Sequence, residues 1–159
     1  MRPSSLTRIE DFLRLALSTV VAGILASIAT LCFIEVVRRP FGESFVWYDE
    51  FVGYLLVWLT LLGAVLARLQ REHIGIDNLL NKVPRSVRLW LALTSHLVMI
   101  FVHIVLLAYG SQLVFRFVSE RAITVDISIG LVYSVIPCSA AVMLLVEFIH
   151  LKRLLERAN

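Results

Sequence analysis

One acidic and two aromatic residues share a stripe at the start of the second long apolar run of this chain. Glu50, Tyr54 and Trp58 are each four residues apart, so they fall on one face if the segment is helical. A carboxylate at the edge of a membrane span is costly unless another group pairs with it. The spacing therefore predicts that this stripe contacts a partner. An aromatic belt at the membrane surface with one exposed acid is the alternative.

Two other ionisable residues lie close to the ends of apolar runs. Arg116 should lie at a depth similar to that of Glu50, and an ion pair between the two is one interpretation of this placement. Snorkelling of each side chain to water is the other. Glu147 lies near the end of the fourth run, where we expect it to pair with a basic residue.

Two histidines on one predicted helix face come nearest to a cofactor-binding pattern. His96 and His103 are seven residues apart, and a bis-histidine haem would need its second ligand on another helix at matching depth. His150 is the other histidine of the apolar runs, and the helical rise puts His96 roughly 10 Å deeper. The pattern therefore favours buried, hydrogen-bonded histidines over a haem site.

The sequence contains no motif typical of a catalytic or metal centre. Cys32 and Cys138 lie in different apolar runs, and no CxxC pair, Gly-rich phosphate loop, Ser/His/Asp set or HExxH motif occurs. We therefore expect no catalytic, metal-binding or substrate-binding residue on this chain. We also expect no cofactor and no enzymatic activity.

These residues belong to a chain with the composition of an integral membrane protein. Hydrophobic residues make up 59% of its 159 residues, and the mean hydropathy is +0.86. Four apolar runs, at approximately 13–37, 47–69, 87–118 and 127–151, each exceed the roughly 20 residues that a membrane-spanning helix needs. We predict an all-α protein with a single four-helix membrane domain over residues 1–159. Pro137 should kink the fourth helix or leave a carbonyl free for a neighbour.

The basic residues are distributed unevenly between the two sides of this predicted bundle. Eleven of the 15 Lys and Arg residues flank the two termini and the connection between the second and third runs, and four lie on the other side. The positive-inside rule then places both termini in the cytoplasm. Since membrane flanking accounts for the net charge of +3, we expect no nucleic-acid partner.

The connection between the second and third runs has the pattern of a short amphipathic helix in the membrane interface. Apolar residues at approximately 74–83 follow helical spacing, while polar residues fall mostly on other faces. An ordinary cytoplasmic turn is the alternative. The residues that would form and orient this helix are His73, Asp77, Leu79, Leu80 and Val83.

The second run and its exit resemble a known family. The residues Trp47, Glu50, Tyr54 and Trp58 fit the pattern W-x-x-E-x-x-x-Y-x-x-x-W, followed by Leu-Gly-Ala at 62–64 and His-Ile-x-Ile-Asp at 73–77. This pattern and the four-span layout are similar to the small membrane subunit (the Q, or DctQ-like, subunit) of TRAP transporters, the tripartite ATP-independent periplasmic carriers.

The resemblance implies a multi-pass protein of the bacterial inner membrane that works in a heteromeric complex. Its partners would be a large TRAP membrane subunit, a periplasmic substrate-binding protein and membrane lipids. The small subunit would brace the large, elevator-type subunit and help dock the binding protein during sodium-driven uptake of a small organic acid. Sodium and substrate sites are expected on the large subunit.

Two groups of residues become candidate contacts in such a complex. Contacts within the bundle or with the large subunit are expected from Glu50, Tyr54, Trp58 and Arg116. Docking of the binding protein is expected from charged residues of the outer loops, for which plain solvation is the alternative: Arg38, Arg39, Glu43, Arg121 and Asp126.

Two other functions fit parts of the pattern. A self-contained four-helix exporter of the small multidrug type would need an acid deep in its first span, but Glu35 lies near the outer end of that span. Arg38 and Arg39 lie one turn away, where they can pair with it. A haem-bearing membrane anchor would need the histidine geometry that the spacing disfavours. The sequence therefore favours the TRAP subunit.

Overall fold

Long helices make up most of the structure, a computed structural model that describes residues 5–42, 45–70 and 85–158. The helices are α1 (Ser5–Arg38), α2 (Tyr48–Gln70), α3 (Arg85–Phe117), α4 (Ile129–Tyr133) and α5 (Val135–Ala158). A helix satisfies the polar groups of its own backbone, which a long apolar segment in lipid requires. The described ranges contain no strand, only an isolated antiparallel bridge between Arg121 and Ser128.

Four segments are long and apolar enough to cross a membrane. They are Glu10–Phe41, Tyr48–Gln70, Leu93–Phe117 and Ile129–Lys152. The prediction of an all-α membrane protein with four spanning helices is therefore confirmed. The cytoplasmic location of both termini stays a prediction from the charge distribution.

The main helix contacts run in the spatial order α1, α2, α5, α3. Helix α1 packs against α2, α2 packs against α5, and α5 packs against α3, while α4 connects α3 to α5. The core lies where α1, α2 and α5 meet and contains Leu17, Val65, Leu69 and Val146. Many large apolar side chains of α1 and α3 point outward, as expected of helices that face lipid or another apolar protein surface.

The connection between α1 and α2 turns sharply after Arg38. A short 3-10 helix, Arg39–Phe41, contains Pro40 and ends at Gly42, whose φ of +75° suits a residue without a Cβ. The backbone N–H of Phe45 then donates to the Glu35 carboxylate at 3.4 Å. This bond ties the start of the next segment back to the end of α1.

The helix of the fourth span is interrupted at Ser134, whose backbone stays in the right-handed helical region. Helix α4 ends at Tyr133 and α5 begins at Val135, two residues before Pro137. Proline has no backbone N–H to donate to the preceding turn, which accounts for this interruption, and a kink of the helix axis stays a prediction. A Cβ on Gly110 of α3 would lie 3.2 Å from Cδ of Pro137 and 2.9 Å from Cγ2 of Ile136, so this glycine lets α3 approach the break closely.

Candidate functional site: two polar clusters

The first polar cluster, called here the outer cluster, joins the start of α2 to the connection between α3 and α4. It consists of Glu50, Tyr54, Ile123 and Thr124. One carboxylate oxygen of Glu50 accepts from the Tyr54 hydroxyl at 2.6 Å and from the Ile123 backbone N–H at 3.2 Å. The other accepts from the Thr124 backbone N–H at 2.7 Å and from the Thr124 hydroxyl. Both oxygens thus have two donors within the chain.

Internal bonds give the connection between α3 and α4 a defined shape. The Ala122 N–H donates to the Ile127 carbonyl and the Ile129 N–H donates to the Glu120 carbonyl, each at 2.9 Å. At the base of the loop, the Ser128 hydroxyl donates to the Val118 carbonyl at 2.7 Å. Because Glu50 holds the middle of the same segment, the loop is anchored at its centre as well as at its ends.

The stripe predicted on α2 faces other parts of the same chain. Trp58 donates its indole N–H to the Val132 carbonyl at 3.2 Å, directly before the break in the fourth span. Glu50 and Trp58 thus contact other elements of the bundle, while Tyr54 bonds to Glu50 within α2. The other half of that hypothesis, contact with a large subunit, stays a prediction.

The proposed ion pair between Glu50 and Arg116 is absent from the described part of the chain, so that interpretation was wrong. Arg116 is exposed in the last turn of α3. The physical reason is that four hydrogen bonds from Tyr54, Ile123 and Thr124 already surround the Glu50 carboxylate. Neutral donors of the loop therefore bind the Glu50 carboxylate in place of the arginine.

The second polar cluster, called here the inner cluster, surrounds a fully buried carboxylate near the other end of the bundle. It consists of Arg68 of α2, His96 of α3 and Glu147 of α5, whose side chain is 0% exposed. Arg68 donates from Nε at 2.7 Å and from Nη2 at 3.2 Å, one bond to each oxygen of Glu147. Nδ1 of His96 lies 2.6 Å from the second oxygen. The predicted pairing of Glu147 with a basic residue is therefore found.

The histidines have hydrogen-bonded roles, as the sequence predicted. Nδ1 of His103 lies 2.6 Å from the Met99 carbonyl one turn earlier, and His96 contacts Glu147. The rings of His96 and His150 lie 6.4 Å apart, so the expectation that they differ in depth by roughly 10 Å was wrong. The reason is that α3 packs against α5, which brings the two rings together. Within the described ranges, no three His, Cys, Asp or Glu residues are grouped to hold a metal ion.

Three of the charged residues predicted to dock a binding protein, Arg38, Arg121 and Asp126, have local partners within the chain. The Arg38 guanidinium lies 4.4 Å from the centre of the Phe45 ring, and Arg39 begins the 3-10 turn. Arg121 pairs with Asp126 at 2.9 Å on the exposed loop. Glu43 lies outside the described residues, as do the residues assigned to the interfacial helix: His73, Asp77, Leu79, Leu80 and Val83.

Sequence reasoning missed several residues that complete these contacts. Thr124 and Ile123 bind Glu50 from more than 70 positions away, and no local pattern identifies a loop residue with that role. The Tyr48 hydroxyl donates to Sγ of Cys32 at 3.0 Å, which links the outer ends of α1 and α2. The Cys32 thiol is therefore a hydrogen-bond acceptor between two helices.

Comparisons with known proteins agree with the helical layout. The family model for the DctQ component of tripartite ATP-independent periplasmic transporters matches residues 28–157, which include both polar clusters. The chain is 27% identical over 123 residues to the C4-dicarboxylate TRAP transporter small permease protein DctQ of Vibrio cholerae, covering 77% of this chain and 53% of that protein.

A second relative is from Haemophilus influenzae and is provisionally named a TRAP transporter small permease protein. It is 36% identical over 77 residues, which is 48% of each chain. The chain thus spans about half the length of the curated relatives it matches. Since the family model covers most of the chain, this multi-pass inner-membrane protein belongs to the DctQ family, the small permease subunits of TRAP transporters.

Proposed function

We propose that the chain braces the large membrane subunit of a TRAP transporter and helps to dock the periplasmic substrate-binding protein. The observation that carries this proposal is the hydrogen bonding of the Glu50 and Glu147 carboxylates. Each carboxylate is bound on both oxygens by groups of the same chain. Acids held in this way stabilise one arrangement of helices. They are poorly suited to bind and release an ion or a substrate during each transport cycle.

The outward-facing surface of the bundle supports a role as a brace. Phe12, Phe33, Leu97 and Phe101 are among the large apolar side chains of α1 and α3 that are more than half exposed. In a membrane such faces can pack on lipid or on another helical protein without a desolvation cost. A second membrane subunit is therefore a suitable neighbour for either helix.

The outer cluster supports the docking part of the proposal. Glu50 holds a loop that displays Arg121 and Asp126 to solvent, with side-chain exposures of 64% and 89%. A loop that is already ordered loses less conformational freedom when a partner binds. Arg38 and Arg39 belong to the other outer connection, which is short, and on the predicted orientation both connections face the periplasm.

The substrate class is proposed from the family and from the name of one relative. Sodium-driven uptake of a small organic acid is the activity we assign to the complex, with the sodium and substrate sites on the large subunit. The name of the Vibrio cholerae relative identifies C4-dicarboxylates as the substrates of its system. Four-carbon dicarboxylates are therefore the first compounds to test.

Deletion of the gene for this chain from its native host tests the proposal. We expect sodium-dependent uptake of at least one radiolabelled acid, from a panel of aliphatic monocarboxylates and dicarboxylates, to fall to background and to return when the gene is supplied on a plasmid. The background is defined by the same cells with choline in place of sodium. Undiminished uptake of every acid that the host takes up would contradict the proposal.

A further inference from the structure

The inner cluster joins three helices through one buried carboxylate. Glu147 of α5 receives both arms of the Arg68 guanidinium from α2 and contacts His96 of α3, while the His150 ring lies edge-on to that of His96. Arg68 and His96 are themselves only 21% and 12% exposed. Three polar groups from three helices therefore meet inside the bundle with little access to surrounding solvent or lipid.

Such a cluster contributes little net stability in general. Removing two charges from water carries a large desolvation cost, and replacing a buried ion pair with apolar residues of similar volume is often neutral or stabilising. Breaking the pair by removing one partner is strongly destabilising, because it leaves a buried charge without compensation. The presence of this cluster therefore calls for an explanation other than net stability.

Apolar packing alone gives helices in a membrane little directional preference. Lipid tails are as apolar as leucine, so a helix that rotates to exchange one apolar residue for another loses only packing contacts. The core beside the cluster is of this kind, since Val65, Leu69 and Val146 are buried and have no polar atoms in their side chains. A planar guanidinium that meets both oxygens of a carboxylate, by contrast, is satisfied in a single relative orientation.

We propose that the Arg68–Glu147–His96 cluster is a register lock that fixes the rotation of α2, α3 and α5 about their axes. The cluster selects one arrangement of these helices over others, and it contributes little to the free energy of unfolding. This inference concerns the chain by itself and does not rest on its proposed role in transport.

Two variants of the full chain in lipid nanodiscs separate these contributions. Glu147→Leu removes the acceptor and leaves Arg68 buried without a partner. The triple variant Arg68→Met, His96→Leu and Glu147→Leu carries the same leucine and removes the remaining polar groups. We expect the single variant to lower the Tm by on the order of 10 °C. The triple variant should melt within about 3 °C of the natural chain.

The decisive readout is the number of environments of Trp58, which lies on α2 away from the cluster and bonds to the fourth span. With 5-fluorotryptophan incorporated, the Trp58 signal in ¹⁹F NMR is assigned by its loss in Trp58→Phe. We expect one sharp signal in the natural chain and a split or broadened signal in the triple variant. The exposed ion pair between Arg121 and Asp126 provides the control. Replacing Arg121 with methionine breaks this pair and should change neither the Tm nor the Trp58 signal.

Three results would overturn the inference. A triple variant with a restored Tm and an unchanged, single Trp58 signal would mean that apolar packing sets the register. A triple variant that melts as low as Glu147→Leu, or fails to fold, would mean that the cluster is a net stabiliser. A single variant as stable as Arg121→Met would mean that the buried carboxylate has no structural importance.

Discussion

Replacing Gly130 with alanine is expected to lower the Tm of the chain by on the order of 10 °C, because the new methyl group has no space. A Cβ at this position would lie 2.7 Å from Cα of Val118, 2.8 Å from the Val114 carbonyl oxygen and 2.9 Å from the Val118 backbone nitrogen. All three contacts are to the backbone of the outer end of α3 and the turn that follows it, so no side-chain rotation can relieve them. The first turn of α4 would have to move away from α3.

Gly63→Ala is the matched control for this substitution. A Cβ on Gly63 in the middle of α2 would meet nothing within 4 Å, and alanine favours a helix over glycine by about 1 kcal/mol. The melting temperatures of the two variants, measured in the same lipid nanodiscs, should therefore differ clearly. We expect the Tm of Gly63→Ala to equal or slightly exceed that of the natural chain. Equal melting temperatures would show that α4 does not pack against α3 as closely as described.

Replacing Glu50 with alanine is expected to reduce uptake by the complex about tenfold or more while leaving membrane insertion intact. The substitution removes the acceptor for Tyr54, Ile123 and Thr124, and hydrogen bonds to a charged group are stronger than those between neutral groups. Because Ile123 and Thr124 are exposed, water can replace the lost acceptor, so the helices should stay assembled while the loop loses its fixed shape. A loop without a fixed shape has to be ordered when the binding protein docks, which weakens docking and lowers uptake.

Asp49→Ala provides the control for charge. Asp49 is the adjacent acid in the first turn of α2 and is exposed, so its removal changes the charge at the helix N-terminus equally. Uptake, the amount of protein in the membrane and the yield of purified complex should be normal in that variant. Normal uptake and complex yield in Glu50→Ala would refute the role assigned to the outer cluster.

Sequence alone is sufficient to predict the helices, because their signal is local and strong. Four apolar runs of spanning length become the four long helical segments, and the absence of an N–H on Pro137 is enough to predict a distorted fourth span. The pairing of Glu147 could also be predicted, since an acid inside a span is too costly to leave alone. Each of these conclusions needs only the residue and its immediate environment in the chain.

The partners of the polar groups could not be predicted, because they depend on how the helices are arranged. Similar depth along the membrane normal made Arg116 a reasonable partner for Glu50, yet depth says nothing about the direction in which a side chain points. The actual donors, Ile123 and Thr124, include backbone groups that every loop residue possesses. In the same way, His96 and His150 lie close together because α3 packs against α5, which their positions along the chain do not reveal.

The most direct test of the central claim is affinity purification of the tagged chain in mild detergent, followed by mass spectrometry of the proteins that copurify. A brace for a larger carrier should bring with it, in equimolar amount, a large membrane protein with many more spans than its own four. A chain that elutes alone as a homodimer would contradict the account. That outcome would revive the exporter hypothesis and make Glu35 the next residue to replace.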